Sequence, residues 1–376
     1  MDRMMVVRAL IGFLYRTVAK PILFLFDAEV VHDAAVAFGA HTGNFFVVPA
    51  LLRYEHAALR QTIDGIAFEN PVGLAAGFDY NGRLAHVMGN VGFGFHTVGT
   101  VTALPYKGND KPRLGRLPRS KALFVNKGFK SSGASAVHDY LASLDLSREI
   151  VGVSVGASNI KEIDTVDKAI ADYCKTFDQF RDADSVSYFE LNISCPNTRL
   201  EDPFLDPAAF MKLARAVSDM RMRQPIWIKM PSELSWEKTR AIMDIALKHG
   251  MRTFIFSNLV KDRNNASLDR RELERFRGFK GNFSGKPVER PANDLLTNAY
   301  ACYGDEVVLV GCGGIFSARD AYEKIKRGAH LVQLITGMIY QGPQLAAEIN
   351  EGLVFLAHAD GFESVSTARG SAVTHS

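Results

Sequence analysis

The run VSYFELNISCPNT, from Val186 to Thr198, begins as an apolar strand and ends in Asn192, Ser194, Cys195 and Asn197. A free cysteine is usually a small buried residue in a turn. The alternative is a strand that delivers a base and two amides to an active site. A thiol with an ordinary pKa of about 8.5 yields its conjugate base far more readily than an alcohol does. Other strand-like runs end in equally telling ways. PIWIKM ends at Lys229, RTFIFSN at Ser257 and Asn258, EVVLVGCGG at Gly311, Gly313 and Gly314, and HLVQLITG at Thr336 and Gly337. Glycines and a hydroxyl let backbone N–H groups approach an anion such as a phosphate. Lys229 could snorkel to solvent or place a cation beside an electron-rich ring, where it stabilises a reduced, anionic form. Each signal is weak alone; together they favour a phosphate-bearing cofactor.

Positioning such ends requires a particular scaffold. After the hairpin-like TIDGIAFENP, eight β-branched or aromatic runs begin at Val72, Phe93, Val151, Val186, Pro225, Arg252, Glu306 and His330. Helical stretches such as DPAAFMKLARAVSDMRMR and SARDAYEKIKRG separate them. Near-continuous apolar strands alternating with helices predict a parallel sheet covered on both faces. Eight units predict an α/β fold, a (β/α)8 TIM barrel with its chemistry at the C-terminal strand ends. No GxGxxG follows the first strand, so a dinucleotide site is unsupported. Two insertions interrupt the alternation, GNDKPRLGRLPRSKALFVNKGF and VKDRNNASLDRRELERFRGFKGNFSGKPV. Loops longer than about 15 residues in a compact domain usually serve function. The second reads as a charged helix followed by a segment that could clamp a ligand.

The chain has 376 residues, 47% of them hydrophobic and 23% charged, with a net charge of +3. That composition gives ample core and no case for nucleic acid. Cys174, Cys195, Cys302 and Cys312 form no CxxC pair and read as free thiols, with no metal site. Residues 1–61 form a separate N-terminal region, apolar but interrupted by Arg8, Arg16 and Lys20. A spanning helix needs about 20 nearly uncharged residues, so short amphipathic helices lying on a membrane, with cations facing its headgroups, are expected instead. The barrel is expected over residues 62–358 and a disordered tail over 359–376. A peripheral location on the cytoplasmic side of a membrane is expected.

NPVGLAAGFD, VGTVTALPYKGNDKPRLGRL, LNISCPNT, IKMPSEL, FSGKP and GCGGIFSARDAYEKIKRGAHLVQLITG cover the barrel in order. On these motifs the chain resembles the dihydroorotate dehydrogenases, flavin enzymes of pyrimidine biosynthesis. Its N-terminal LYRTVAKPILFLFDAEVVHDAAVAF resembles the quinone-access helices of the membrane-associated class 2 members. The resemblance implies FMN as cofactor, dihydroorotate and orotate as substrate and product, and a membrane quinone as oxidant. It implies Cys195 as the base taking the C5 proton while a hydride leaves C6. It places Asn126, Phe129, Asn192, Asn197 and Asn258 around the substrate. For FMN it carries over Ala76, Gly77, Thr100, Ser154, Asn192, Lys229, Ser257, Gly285, Gly314, Ile335 and Thr336. His32 and Arg116 fall in the quinone tunnel.

Departures accompany the match. Class 2 enzymes usually carry Ser where this chain has Cys195, as class 1 enzymes do. Tyr80 stands where the family has a lysine, Ser154 where it has an asparagine, and Ile335 where a tyrosine lies near the quinone. VNKGFKSSG is one residue short, so Asn126 can slip by one position. Three alternatives stay open: a class 1-like enzyme using fumarate or a protein acceptor, an FMN barrel acting on another pyrimidine, and a cofactor-free membrane scaffold.

Overall fold

A computed structural model describes residues 3–42, 45, 47–194, 200 and 202–373. The eight expected strands are all present: β1 (Val72–Leu74), β2 (Phe95–Val101), β3 (Val151–Val155), β4 (Tyr188–Asn192), β5 (Ile226–Met230), β6 (Thr253–Phe256), β7 (Val308–Cys312) and β8 (Leu331–Leu334). Each pairs in parallel with the next, and β8 pairs with β1, closing an eight-stranded (β/α)8 barrel.

Side chains alternate across each strand. In β3, Val151, Val153 and Val155 face outward into the helical layer, where Phe177, Phe189 and Leu213 complete the packing. Gly152 lies inward, and a Cβ there would fall 2.1 Å from the Tyr188 ring, so only glycine lets Tyr188 cross the barrel. Tyr188 stacks on Trp227 with centroids 3.8 Å apart and an interplanar angle of 17°. Such a pair adds about 0.5–1.5 kcal/mol beyond its burial. Phe95 and Phe68 pack edge-on beneath it and close the barrel floor. The expected hairpin, Gln61–Ile63 with Ile66–Phe68, plugs this end. Its Asp64 carboxylate accepts from Trp227 Nε1 at 3.0 Å and Thr253 Oγ1 at 2.6 Å.

The outer helices follow their local chemistry. Helix Pro207–Asp219 starts at Asp206, whose side chain accepts the Ala208 and Ala209 N–H groups, and buries Phe210, Leu213, Ala214 and Val217. That spacing is one helical face, and the cap is worth about 1 kcal/mol.

The two insertions join each other. Strands Leu114–Leu117 and Ala122–Val125 pair antiparallel, and Asn282–Gly285 adds to the second, giving a three-stranded sheet beside the C-terminal barrel mouth. Sequence patterning predicts the charged helix, seen at Arg270–Glu274, but not this sheet.

The N-terminal region forms α1 (Arg3–Leu14), a π-turn at Tyr15–Ala19, α2 (Lys20–Leu23), α3 (Ala28–Thr42) and α4 (Val47–Leu52). Its polarity corrects the expectation of cations turned toward headgroups. Arg8 is buried, bonded to Glu351 at 3.0 Å and to Arg53 O at 2.9 Å. Lys20 Nζ donates to Tyr340 O at 3.3 Å. These cations fasten the helices to the barrel, while Leu10, Phe13, Ile22, Phe26 and Leu25, the last 83% exposed, face outward. No helix among the described residues is long and apolar enough to cross a membrane.

The expected disordered tail is also corrected through Val373. Val365 N–H donates to Ala58 O and Ala372 N–H to Lys326 O, and Val365 and Ala368 are buried. Small polar composition conceals the few apolar residues that anchor it.

His330, just before β8, carries a pH consequence. Its Nδ1 accepts the Leu309 N–H at 3.2 Å, and burial, reinforced by Arg369, lowers its pKa to about 3 from the usual 6.5. A histidine depressed on folding stabilises the protein above its unfolded pKa. That contribution is lost as pH falls from about 6.5 toward 3, at about 1.4 kcal/mol per unit. In His330→Gln, Tm should therefore decline less steeply over this range; parallel Tm curves would refute the assignment. His96, held at about 3 by burial, titrates in both proteins and cancels from the comparison.

Candidate active site

Two adjoining cavities occupy the C-terminal mouth of the barrel. One, about 580 Å³, is lined by Ala76, Asn192, Lys229, Ser257, Asn258, Gly285, Gly313, Gly314, Ile335 and Thr336, with Glu190 and Cys312 at its floor. The other, about 870 Å³, shares Ala76, Asn192, Asn258 and Ile335 and extends to Gly77, Thr100, Phe129, Lys127, Tyr80 and His32.

The wall between them is a directed hydrogen-bond chain. Asn192 Nδ2 donates to Thr100 Oγ1 at 2.9 Å, Thr100 lies 2.9 Å from Ser154 Oγ, and Ser154 donates to Glu190 Oε1 at 2.8 Å. Because Glu190 can only accept as a carboxylate, Ser154 spends its proton there and receives one from Thr100. The Asn192 amide is thereby oriented, nitrogen to the wall, with Oδ1 left toward Asn258 Nδ2 at 3.3 Å. Asn258 Nδ2 also lies 2.8 Å from Ser194 O, and Ser194 Oγ donates to Lys229 O at 3.0 Å. Ser154 is fully buried and reaches the cavity only through this chain.

Lys229 is 5% exposed. Its Nζ lies 3.7 Å from Glu190 Oε2 and 3.7 Å from Cys312 Sγ. Burial pushes the ammonium pKa down, but Cys312 and Glu190 outweigh it and hold the pKa above the usual lysine value. Glu190 and Cys312 were not singled out from the sequence. The signal was present: Glu190 is two residues before Asn192 and shares its face, and Cys312 sits inside GCGGI.

The structure separates the remaining sequence-predicted residues. Asn126 accepts from Asn109 Nδ2 at 2.9 Å, and it is Lys127, Gly128 and Phe129 that line the larger cavity. Asn126 itself turns toward Asn109 and is not among the residues that line that cavity. His32 lines the larger cavity and donates from Nε2 to Phe78 O at 2.7 Å. Arg116 instead donates to Phe26 O at 2.8 Å and lies 4.6 Å from the Phe24 ring centroid. Cys195 and Asn197 lie outside the described residues.

The smaller cavity has the donor set that a phosphate-bearing aromatic ring system needs. Gly285, Gly313 and Gly314 adopt positive φ of 89°, 99° and 74°. A Cβ on Gly314 would come within 2.3 Å of Glu289 Cβ, so only glycine brings backbone this close. Lys229 adds a cation and Asn192 a fixed amide. The residues present fit FMN.

The sequence model of the dihydroorotate dehydrogenase family matches residues 58–356. A dihydroorotate dehydrogenase (quinone) of Deinococcus deserti is 36% identical over 95% of this chain and 99% of its own length. One from Roseiflexus castenholzii is 34% identical over 93% of this chain and 95% of its own. A crystal structure of DHODH in complex with ferulenol from Eimeria tenella superposes with a TM-score of 0.82 at 27% identity, covering 92% of this chain and 95% of that one. Eight-stranded barrel, mouth chemistry and near full-length similarity agree, and the chain belongs to the dihydroorotate dehydrogenase family.

Proposed function

We propose that this chain oxidises dihydroorotate to orotate in pyrimidine biosynthesis, with FMN in the smaller cavity and a membrane quinone as the final oxidant. The observation that carries it is the oriented amide pair Asn192 and Asn258, set on the wall shared by the two cavities. FMN bound there would accept the hydride from substrate C6 and pass both electrons onward. The chain supplies the rest. Cys195 takes the C5 proton onto Sγ, which balances the loss of proton and hydride from the substrate. Asn192 and Asn258, with Phe129 in the same cavity and Asn197, hold the pyrimidine ring, since an amide side chain carries both a donor and an acceptor suited to an imide edge. Lys229 keeps a fixed positive charge beside the cofactor and cannot lose it near neutral pH, given its raised pKa.

The oxidant's route is suggested by the larger cavity's apolar side, where Leu114, Leu123, Val125 and Ile339 join His32. The outward apolar faces of α1, α2 and α3 would rest in the interfacial layer of the cytoplasmic membrane face, binding by apolar burial. Anaerobic mixing with dihydroorotate should bleach the flavin absorbance, and added quinone should restore it faster than fumarate. A flavin that stays yellow would overturn the substrate assignment, and faster recovery with fumarate the oxidant.

A further inference from the structure

A buried cationic cluster borders the larger cavity on the α3 side, and the steps described so far do not use it. Lys127 is 6% exposed and lines that cavity. Its Nζ lies 2.8 Å from Glu29 Oε1 and 5.2 Å from the Tyr80 ring centroid. Glu29 also lies 3.3 Å from Lys130 Nζ and 3.4 Å from Arg113 Nε, and Lys130 lies 3.8 Å from Asp33. Three cations thus share two carboxylates, leaving one positive charge in excess beside a partly enclosed cavity. Taking a lysine out of water is costly unless it is paired, and Glu29 engages only one of its three N–H donors. An anion entering the cavity would complete the pairing.

A second buried cation at the barrel mouth is committed elsewhere. Lys229 is on the floor of the smaller cavity and is compensated by Glu190. Tyr80 contributes a ring face and no charge, because burial raises its phenol pKa further above neutrality. Asn192 and Asn258, the amides suited to the pyrimidine ring, line the same cavity as Lys127.

We propose that Lys127 pairs with the substrate's carboxylate and makes the site selective for an anion, with Glu29 and the Tyr80 ring holding its ammonium in place. The proposal rests on dihydroorotate as substrate and adds the residue that reads its charge. Lys127 acts on binding and leaves the chemical step to others.

The test compares dihydroorotate with its uncharged methyl ester. Wild-type enzyme should favour the acid. Lys127→Gln should raise KM for the acid about tenfold or more, the effect of losing a charge-assisted bond, with kcat and the ester's kinetics little changed. Lys127→Arg should restore the preference. Protection of the protein by orotate against thermal unfolding should fall in step, independently of turnover. Equal losses for acid and ester in Lys127→Gln, or an unchanged acid-to-ester ratio, would overturn the proposal. If the glutamine variant fails to fold, Lys127→Met keeps the aliphatic stem and reads the same ratio. Wild-type protein inert toward dihydroorotate would sink the substrate reading, and this proposal with it.

Discussion

Cys195→Ala should purify yellow and folded but reduce its flavin about 10²–10⁴-fold more slowly with dihydroorotate, the usual size of a lost general base. The residue before it is held at both its hydroxyl and its carbonyl. Ser194 is 2% exposed, its hydroxyl donates to Lys229 O, and its carbonyl accepts from Asn258. A thiol near its ordinary pKa of about 8.5 is a better base at neutral pH than a hydroxyl. Cys195→Ser should therefore keep a residual rate that rises more steeply with pH than that of wild type. Stopped-flow measurement of flavin bleaching reads both variants, and an alanine variant as fast as wild type would remove Cys195 from the mechanism.

Lys229→Met should have the second large effect, and it divides into two parts. Without the ammonium, Glu190 is left a fully buried carboxylate whose Oε2 has no other partner among the described residues. Orphaning one member of a buried ion pair costs about 3–5 kcal/mol, so Tm should fall sharply. FMN retention should fall as well, because the cation lining the cofactor cavity is gone. Adding Glu190→Gln to Lys229→Met removes the stranded charge and should recover much of the Tm but not the FMN. If FMN returns together with stability, Lys229 serves the fold and not the cofactor.

Much of the scaffold is written locally in the chain. Parallel strands buried on both faces must be near-continuously apolar, which is why all eight were visible and why Asn192, Lys229 and Ser257 stood out at their ends. What escaped depends on distant pairing. The sheet joining Ala122–Val125 to Asn282–Gly285 has no local signature. Neither does the meeting of Lys127 with Glu29, 98 positions away. The polarity of α1 is hidden from the sequence for a related reason. An amphipathic pattern reports that two faces differ, and only the partner Glu351 decides that Arg8 turns inward. The loop at Asn126 shows the same limit, because the contact with Asn109 that turns its side chain has no local signature.

The Arg8–Glu351 bond also fixes an order of events during synthesis. Its two ends are 343 positions apart, so at about 5–20 residues per second the ribosome makes Glu351 roughly 20–70 s after Arg8. Through that interval α1 has emerged while the helix that holds it, Leu345–Ala359, does not yet exist. For most of its translation the nascent chain carries α1 without that partner, an apolar surface that a bilayer or a chaperone can cover.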